Sequence, residues 1–142
     1  MRFWDSSALV PLFIVEPTTN RVNRLLRSDP LVVVWALTRV ELMSAIGRRR
    51  REEPDLARRF AIARGDVLKA WERWIEVAAV EAVRQHAERL IATHPLRAAD
   101  ALQLGAALVA AAGNPSGLEV VTLDRRLAAA AEREGFAVIG PD

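Results

Sequence analysis

Cysteine is absent from the 142-residue chain, and histidine occurs only twice, as His86 and His94. Without thiols the protein can have neither disulfides nor a thiolate metal site, which is typical of cytosolic proteins. Two histidines are too few for a multi-histidine zinc centre. A metal site in this chain would therefore use mainly oxygen ligands.

Long apolar runs are also lacking. The chain has no stretch of about 18 uncharged apolar residues, and Asp5 interrupts the N-terminal segment where a signal peptide would need an apolar run. We therefore expect a cytoplasmic protein without a membrane span. Since 51% of the residues are hydrophobic, disorder is not expected, and the length fits a single domain over residues 1–142.

Lysine is nearly absent, because 19 of the 20 basic residues are arginines and Lys69 is the exception. The formal net charge is only +2. Arginine makes bidentate contacts with phosphate and stacks on bases, so this composition favours a nucleic-acid partner. A GC-rich genome would give the same composition, and both explanations stay open. We interpret Arg48 to Arg51 as a solvated helix end, because consecutive helical residues point in all directions.

Strand-like and helix-like segments alternate along the chain, which predicts an α/β fold with a mostly parallel sheet covered by helices. The predicted strands are residues 2–4, 31–36, 74–80, 119–123 and 137–139. The predicted helices are residues 6–14, 19–27, 38–50, 54–71, 81–92, 95–112 and 125–134. Pro11 should lie in the first turn of its helix or bend it.

Four carboxylates stand close to the points where predicted strands give way to helices: Asp5, Glu41, Asp100 and Asp124. In an open α/β sheet the ligand crevice lies at the carboxyl ends of the strands, so we expect these acids to meet there. Grouped carboxylates repel one another unless a cation or proton compensates. Oxygen ligands suit Mg²⁺ or Mn²⁺. The pattern therefore predicts a metal site for phosphoester chemistry.

Two of the acids also have a structural interpretation. Asp5 and Asp124 each precede a predicted helix, where aspartate is a favoured N-cap. Ser6 and Ser7 could cap the first helix in place of Asp5.

Glu41 and Asp100 have their own structural alternatives. Thr38 and Glu41 match the capping-box spacing, in which each side chain satisfies a backbone donor of the other residue. Asp100 lies in an almost uncharged helical segment and could pair with Arg97. Such pairing contributes only a few tenths of a kcal/mol, about a tenth of the cost of burying the charge, so a bound cation is the better explanation.

At these positions the chain resembles the PIN-domain ribonucleases, specifically the VapC-type toxins of bacterial toxin–antitoxin pairs. The matching segments are DSSALV at 5–10, TRVEL at 38–42, LRAADALQL at 96–104 and VTLDRRLA at 121–128. Each segment is short, but all four occur in the family's order and span nearly the whole chain.

The resemblance implies a three-layer α/β/α sandwich around the sheet. It also implies that Asp5 and Asp100 hold Mg²⁺ or Mn²⁺, while Glu41 and Asp124 complete the pocket. The expected activity is cleavage of single-stranded RNA, with a cognate antitoxin and a homodimer as further expectations. Expected substrate contacts are Ser7, Arg97 and Thr122.

Two other functions are compatible with acids at strand ends. A phospho-acceptor receiver domain has a similar acidic pocket but also needs a lysine after a late strand, and Lys69 lies in a predicted mid-chain helix. A PIN domain that only binds proteins is the second alternative, and the intact set of acids argues against it.

Overall fold

The computed structural model describes all 142 residues and contains five strands and seven α-helices. The strands are β1 (Arg2–Trp4), β2 (Val32–Trp35), β3 (Ile75–Val77), β4 (Glu119–Val121) and β5 (Ala137–Ile139). The helices are α1 (Ser6–Phe13), α2 (Thr19–Ser28), α3 (Thr38–Glu52), α4 (Ala57–Trp71), α5 (Val80–Thr93), α6 (Ala98–Ala111) and α7 (Arg125–Arg133). No helix combines the length and the apolar character that crossing a membrane requires.

The five strands form one sheet in the order β3-β2-β1-β4-β5, and every neighbouring pair is parallel. All four residues of β2 are buried, as its uncharged, β-branched composition predicts. Because the strands are parallel, their carboxyl ends lie at one edge of the sheet, and the segments after β1, β2 and β4 all start from that edge.

Successive residues of each strand pack against opposite faces of the sheet. Phe3 and Val33 face a core shared with α5, α6 and α7, whereas Trp4 and Val34 face a core shared with α1 to α4. The predicted three-layer α/β/α sandwich is confirmed.

Some element boundaries differ from the sequence prediction. Strand β3 is shorter than expected, because only Val77 of its three residues is buried and α5 begins at Val80. The helix expected from residue 95 begins at Ala98, because Arg97 has an extended backbone and is the N-cap of the helix. Pro11 is the sixth residue of α1, so it lies beyond the first turn, and α1 ends two residues later.

Gly105 allows α6 to approach α5 closely. A Cβ atom at this position would stand 2.8 Å from the carbonyl oxygen of Val83 and 3.3 Å from the amide nitrogen of Ala87. Both are backbone atoms, which cannot move aside as a flexible side chain can. Gly105 therefore fixes the position of the helix whose first turn carries Asp100.

Candidate active site

The four predicted acids come together at the carboxyl edge of the sheet. A cavity of about 650 Å³ is lined by all four: Asp5, Glu41, Asp100 and Asp124. Asp5 follows β1 directly, and Asp124 follows β4 after two residues. Lys69 is on α4 and does not line this cavity, so the lysine that a receiver domain requires is missing from the site.

Asp5 is buried, with 3% of its surface exposed, and it accepts hydrogen bonds on both carboxylate oxygens. Its Oδ1 atom accepts from the Ser7 backbone N–H at 3.1 Å and from the Ser6 hydroxyl at 3.2 Å. Its Oδ2 atom accepts from the hydroxyls of Ser7 and Thr122. Burial raises the pKa of Asp5, and these hydrogen bonds oppose the increase because they stabilise the ionised form.

Asp5 is itself the N-cap of α1. The expectation that Ser6 or Ser7 could cap this helix instead is wrong, because both serine hydroxyls donate to carboxylates of the site. Capping and a position in the cavity are therefore compatible in one aspartate.

Ser7 and Thr122 hold Asp5 in place from the β4 side of the cavity. The backbone N–H of Leu123 donates to the Ser7 hydroxyl at 2.9 Å, and that of Asp124 donates to the Thr122 hydroxyl at 3.0 Å. Each hydroxyl accepts a hydrogen bond from a backbone N–H and donates one to Asp5. These hydrogen bonds fix the orientation of the Asp5 carboxylate.

The predicted substrate contact by Thr122 is wrong, because the residue is fully buried and does not line the cavity. Thr122 instead orients Asp5. Ser7 does line the cavity, although its proton is already donated to Asp5.

Glu41 faces the cavity and takes no part in a capping box. Thr38 is the first residue of α3, and the N-cap residue, Leu37, offers no side-chain hydrogen bond. The Ser6 hydroxyl donates to Glu41 Oε2 at 2.8 Å, and Gln103 Nε2 donates to Oε1 at 2.8 Å. The predicted capping box is therefore wrong, and the carboxylate is available to the site.

The pKa of Glu41 is raised, chiefly because the side chain is partly buried. The charges of Asp5 and Asp100 raise it further, whereas the hydrogen bonds from Ser6 and Gln103 lower it. The carboxylate of Glu41 is therefore close enough to those of Asp5 and Asp100 to be repelled by both.

Gln103 is a site residue that the sequence analysis did not single out. It is 1% exposed, and its Nε2 atom donates to Thr38 Oγ1 and Glu41 Oε1, both at 2.8 Å. Its Oε1 atom has no hydrogen-bond partner. The signal was present in the sequence, because Gln103 lies three residues after Asp100 in a segment otherwise nearly free of polar side chains.

Asp100 lies in the first turn of α6 and is half-buried. It forms no salt bridge with Arg97, so the structural alternative proposed from the sequence does not apply. Burial raises the pKa of Asp100, and the charges of Asp124 and Asp5 raise it further. A hydrogen bond with the backbone of Arg97 and the positive charge of its side chain lower the pKa of Asp100.

Asp124 is the N-cap of α7, and its carboxylate accepts from the backbone N–H of Leu127 at 2.8 Å. It also lines the cavity and contributes to the raised pKa of Asp100. The structural and functional interpretations of this residue therefore both hold.

The donor set fits a hydrated hard cation. No histidine lines the cavity, and the acids together with the hydroxyls of Ser6, Ser7 and Ser44 supply only oxygen ligands. No three acids converge closely enough to hold an ion by themselves. Mg²⁺ commonly keeps several waters and binds through one or two carboxylates plus substrate phosphates, so two acids with water complete a suitable set.

Comparisons with known proteins agree with this geometry. Residues 2–133 match the family model described as PIN domain. Ribonucleases VapC45 and VapC49 of Mycobacterium tuberculosis are each 32% identical over 136 residues, which cover 96% of this chain and 92% of theirs.

Solved structures show the same fold. A toxin–antitoxin complex from Klebsiella pneumoniae has a TM-score of 0.66 at 15% identity, covering 90% of this chain and 91% of that one. FitAcB from Neisseria gonorrhoeae has a TM-score of 0.60 at 18% identity, covering 97% and 96%. With a family match over most of its length and relatives above 30% identity, the chain belongs to the PIN-domain family and groups with its VapC-type members.

Proposed function

We propose that this protein is a Mg²⁺- or Mn²⁺-dependent endoribonuclease that cleaves single-stranded RNA. The observation that carries the proposal is the cavity lined by four carboxylates. Burial raises the pKa values of Asp5, Glu41 and Asp100, and the charges of neighbouring acids raise those of Glu41 and Asp100 further. Grouping like charges in this way costs stability, and a site that binds a cation and performs chemistry accounts for that cost. The relatives named as ribonucleases support the same activity.

Asp5 and Asp100 would hold the metal ion. The ion would supply a water of lowered pKa and neutralise charge on the phosphate. Asp5 is well suited to this role because the hydroxyls of Ser7 and Thr122 bind its Oδ2 atom, while its Oδ1 atom caps α1.

Glu41 would accept a proton from the attacking water. Its raised pKa makes it a better base than an ordinary glutamate, and Ser6 and Gln103 hold its two oxygens. The water oxygen would form a bond to phosphorus as the bond to the leaving ribose oxygen breaks, and solvent would protonate that oxygen. Asp124 would orient the water from the α7 side.

Two partners belong to the same proposal. A cognate antitoxin would inhibit the nuclease, a role supported by the solved toxin–antitoxin complex of similar fold.

A homodimer is supported by a hollow of about 230 Å³ beside the active site, which is lined by Leu37 and Val40 at 49% and 64% exposure. A solution mass of about twice the 15.7 kDa chain mass would agree with the dimer, and the single-chain mass would contradict it. We place the protein in the cytoplasm.

The test is cleavage of a mixed RNA panel in Mn²⁺, with and without EDTA, by the wild type and by Asp5→Asn purified identically. Asparagine is nearly isosteric with aspartate and is also a favoured N-cap, so the variant should fold. We expect the wild type to cleave RNA in Mn²⁺ but not after EDTA is added, and we expect Asp5→Asn to cleave none. Equal rates from the two proteins would refute the assignment, and a wild type that binds RNA without cutting any of the panel would favour a binding scaffold.

A further inference from the structure

The acidic cavity adjoins a second hollow. This hollow of about 390 Å³ is lined by Arg97, Asp100, Leu123, Asp124, Arg125 and Arg126. Arg97, Asp100 and Asp124 line both spaces, so the two hollows adjoin one another. We call the part next to Ser44 and Arg48 the α3 lobe and the part next to Arg125 and Arg126 the α7 lobe.

Arg48 projects into the α3 lobe. It follows Glu41 by seven residues, about 10 Å along the helix axis, and Ser44 lies between them on the same helix face. Its neighbour Arg49 is already bound, with Nε 3.0 Å from a Glu53 oxygen and a second contact to Glu16 at 3.8 Å. Arg48 has no such carboxylate partner. Arg48 is exposed, as expected of a solvated helix end, and it also lines the cavity.

Arg126 lines the α7 lobe and, like Arg48, has no carboxylate partner. It forms no salt bridge, whereas Arg125 beside it donates to the backbone carbonyl of Asp142 at 3.1 Å. Both arginines lie in the first turn of α7, where the helix dipole disfavours positive charge. Their position therefore does not serve helix stability, and a negatively charged ligand bound there would offset the unfavourable interaction with the helix dipole.

A polyanion that enters an acidic cavity is repelled by the carboxylates, so its binding requires positively charged groups nearby. Arginine binds phosphate with two parallel hydrogen bonds and remains charged at every relevant pH. Arg48 lines only the acidic cavity and Arg126 lines only the second hollow, whereas Arg97 lines both together with Asp100 and Asp124. None of the three arginines forms a salt bridge.

We infer that the two lobes bind backbone phosphates on opposite sides of the cleaved bond, with Arg48 in the α3 lobe and Arg126 in the α7 lobe. This inference rests on the proposed ribonuclease function. A single strand would then cross the acids from one lobe to the other, and efficient cleavage would require a phosphate on both sides of the cleaved one.

The first test measures binding separately from cleavage. In an Asp5→Asn background, the affinity for a fluorescent single-stranded RNA is measured in Mg²⁺ over a series of salt concentrations. The slope of log affinity against log salt changes by about 0.7 for each phosphate contact to a single strand. We expect Arg48→Ala and Arg126→Ala each to reduce the slope by about 0.7. Arg50→Ala and Arg133→Ala, which remove exposed arginines outside both lobes, should leave it unchanged.

The second test assigns the two sides, using proteins with the wild-type Asp5. Arg48→Ala and Arg126→Ala should each raise KM by about tenfold or more while changing kcat less, as expected for a lost charged hydrogen bond. Substrates are then shortened on the 5′ or the 3′ side of the mapped cleavage site. Each truncation should remove the effect of one substitution and leave the other.

Two results would overturn the inference while leaving the nuclease intact. One is a salt slope for both lobe variants equal to that of the controls, with wild-type cleavage unimpaired. The other is a single truncation that removes both effects, since both arginines would then contact the same side of the strand. Failure of the wild type to cleave any RNA would instead reject the proposed function itself.

Discussion

Replacing Asp100 with asparagine should change the response of the protein to metal ions and to pH together. The charges of Asp124 and Asp5 raise the pKa of Asp100 beyond the effect of burial, so the ionised, metal-free site is under electrostatic stress. Asp100→Asn removes one of the repelling charges and one metal ligand. We therefore expect the variant to be more stable than the wild type without metal and to respond little to Mg²⁺ or Mn²⁺.

The sign of the pH dependence follows from the raised pKa. Asp100 makes its whole contribution to metal-free stability below its pKa in the unfolded chain, about 3.8. This contribution is lost as pH rises through its higher pKa in the folded protein. The metal-free wild type should therefore lose stability relative to Asp100→Asn as pH rises above about 4. Because a cation binds the ionised carboxylates, metal should stabilise the wild type more at pH 7.5 than at pH 5.

The magnitude follows from chain length and mass action. At ten times its dissociation constant, a ligand bound only by the folded state adds about 1.4 kcal/mol to the free energy of unfolding. For this chain length the unfolding entropy at the midpoint corresponds to about 0.3 kcal/mol per kelvin. The melting temperature of the wild type should therefore rise by about 5 °C at pH 7.5.

Melting curves by circular dichroism, with EDTA or with increasing Mg²⁺ or Mn²⁺, measure this shift at both pH values. Asp55→Asn is the matched control, because it removes an exposed acid outside the cavity and should keep the wild-type shift. An Asp100→Asn shift as large as that of the wild type would refute the role of Asp100. A wild type that ignores both ions at millimolar concentration would refute the metal site.

Further predictions concern Glu41 on α3 and its hydrogen-bond donor Gln103 on α6. Glu41→Gln should not lower the melting temperature, because Glu41 caps no helix and its charge is repelled by Asp5 and Asp100, and it should lower RNA cleavage. Cleavage at the wild-type rate would reduce the site to three acids. Gln103→Leu should cost about 1–3 kcal/mol in chemical denaturation, because Thr38 and Glu41 lose their buried donor, and should lower kcat more than it raises KM. Gln103→Glu should also lower cleavage by adding a fifth carboxylate, and an active Gln103→Glu variant would contradict the positioning role.

Much of the fold could be predicted because its signals are local. The apolar run around Val32–Trp35 and the alternation of strands with helices were enough to predict a helix-covered parallel sheet. The edge strand β3 was the poorest prediction, since Ile75 and Glu76 are exposed and leave little pattern to read. The start of α6 was misplaced because Pro95 is an equally good first helical residue, and only the structure shows that the helix begins three residues later.

The site divides along a similar line. Asp5, Glu41 and Asp124 were found from their positions after strands, because a parallel sheet brings strand ends together whatever the details of packing. Asp100 was found as a lone carboxylate in an apolar helical segment. What failed were the statements about side-chain partners. Thr38 and Glu41 have capping-box spacing, yet Gln103 binds both from another helix, and no local pattern reports a contact between residues 62 or 65 positions apart.

The same distant contacts explain how a buried, ionisable aspartate is tolerated. Asp5 and the segment after β4 are more than 110 residues apart in sequence, yet two hydrogen bonds join the two segments, from Thr122 to Asp5 and from Leu123 to Ser7. The acceptors on Asp5 are therefore satisfied by groups that are themselves fixed by backbone donors. Desolvation still dominates and keeps the pKa of Asp5 raised, so the network orients the charge without removing its cost. A cation at the cavity would offset that remaining cost, which is why the geometry of the fold and the proposed metal chemistry depend on the same carboxylate.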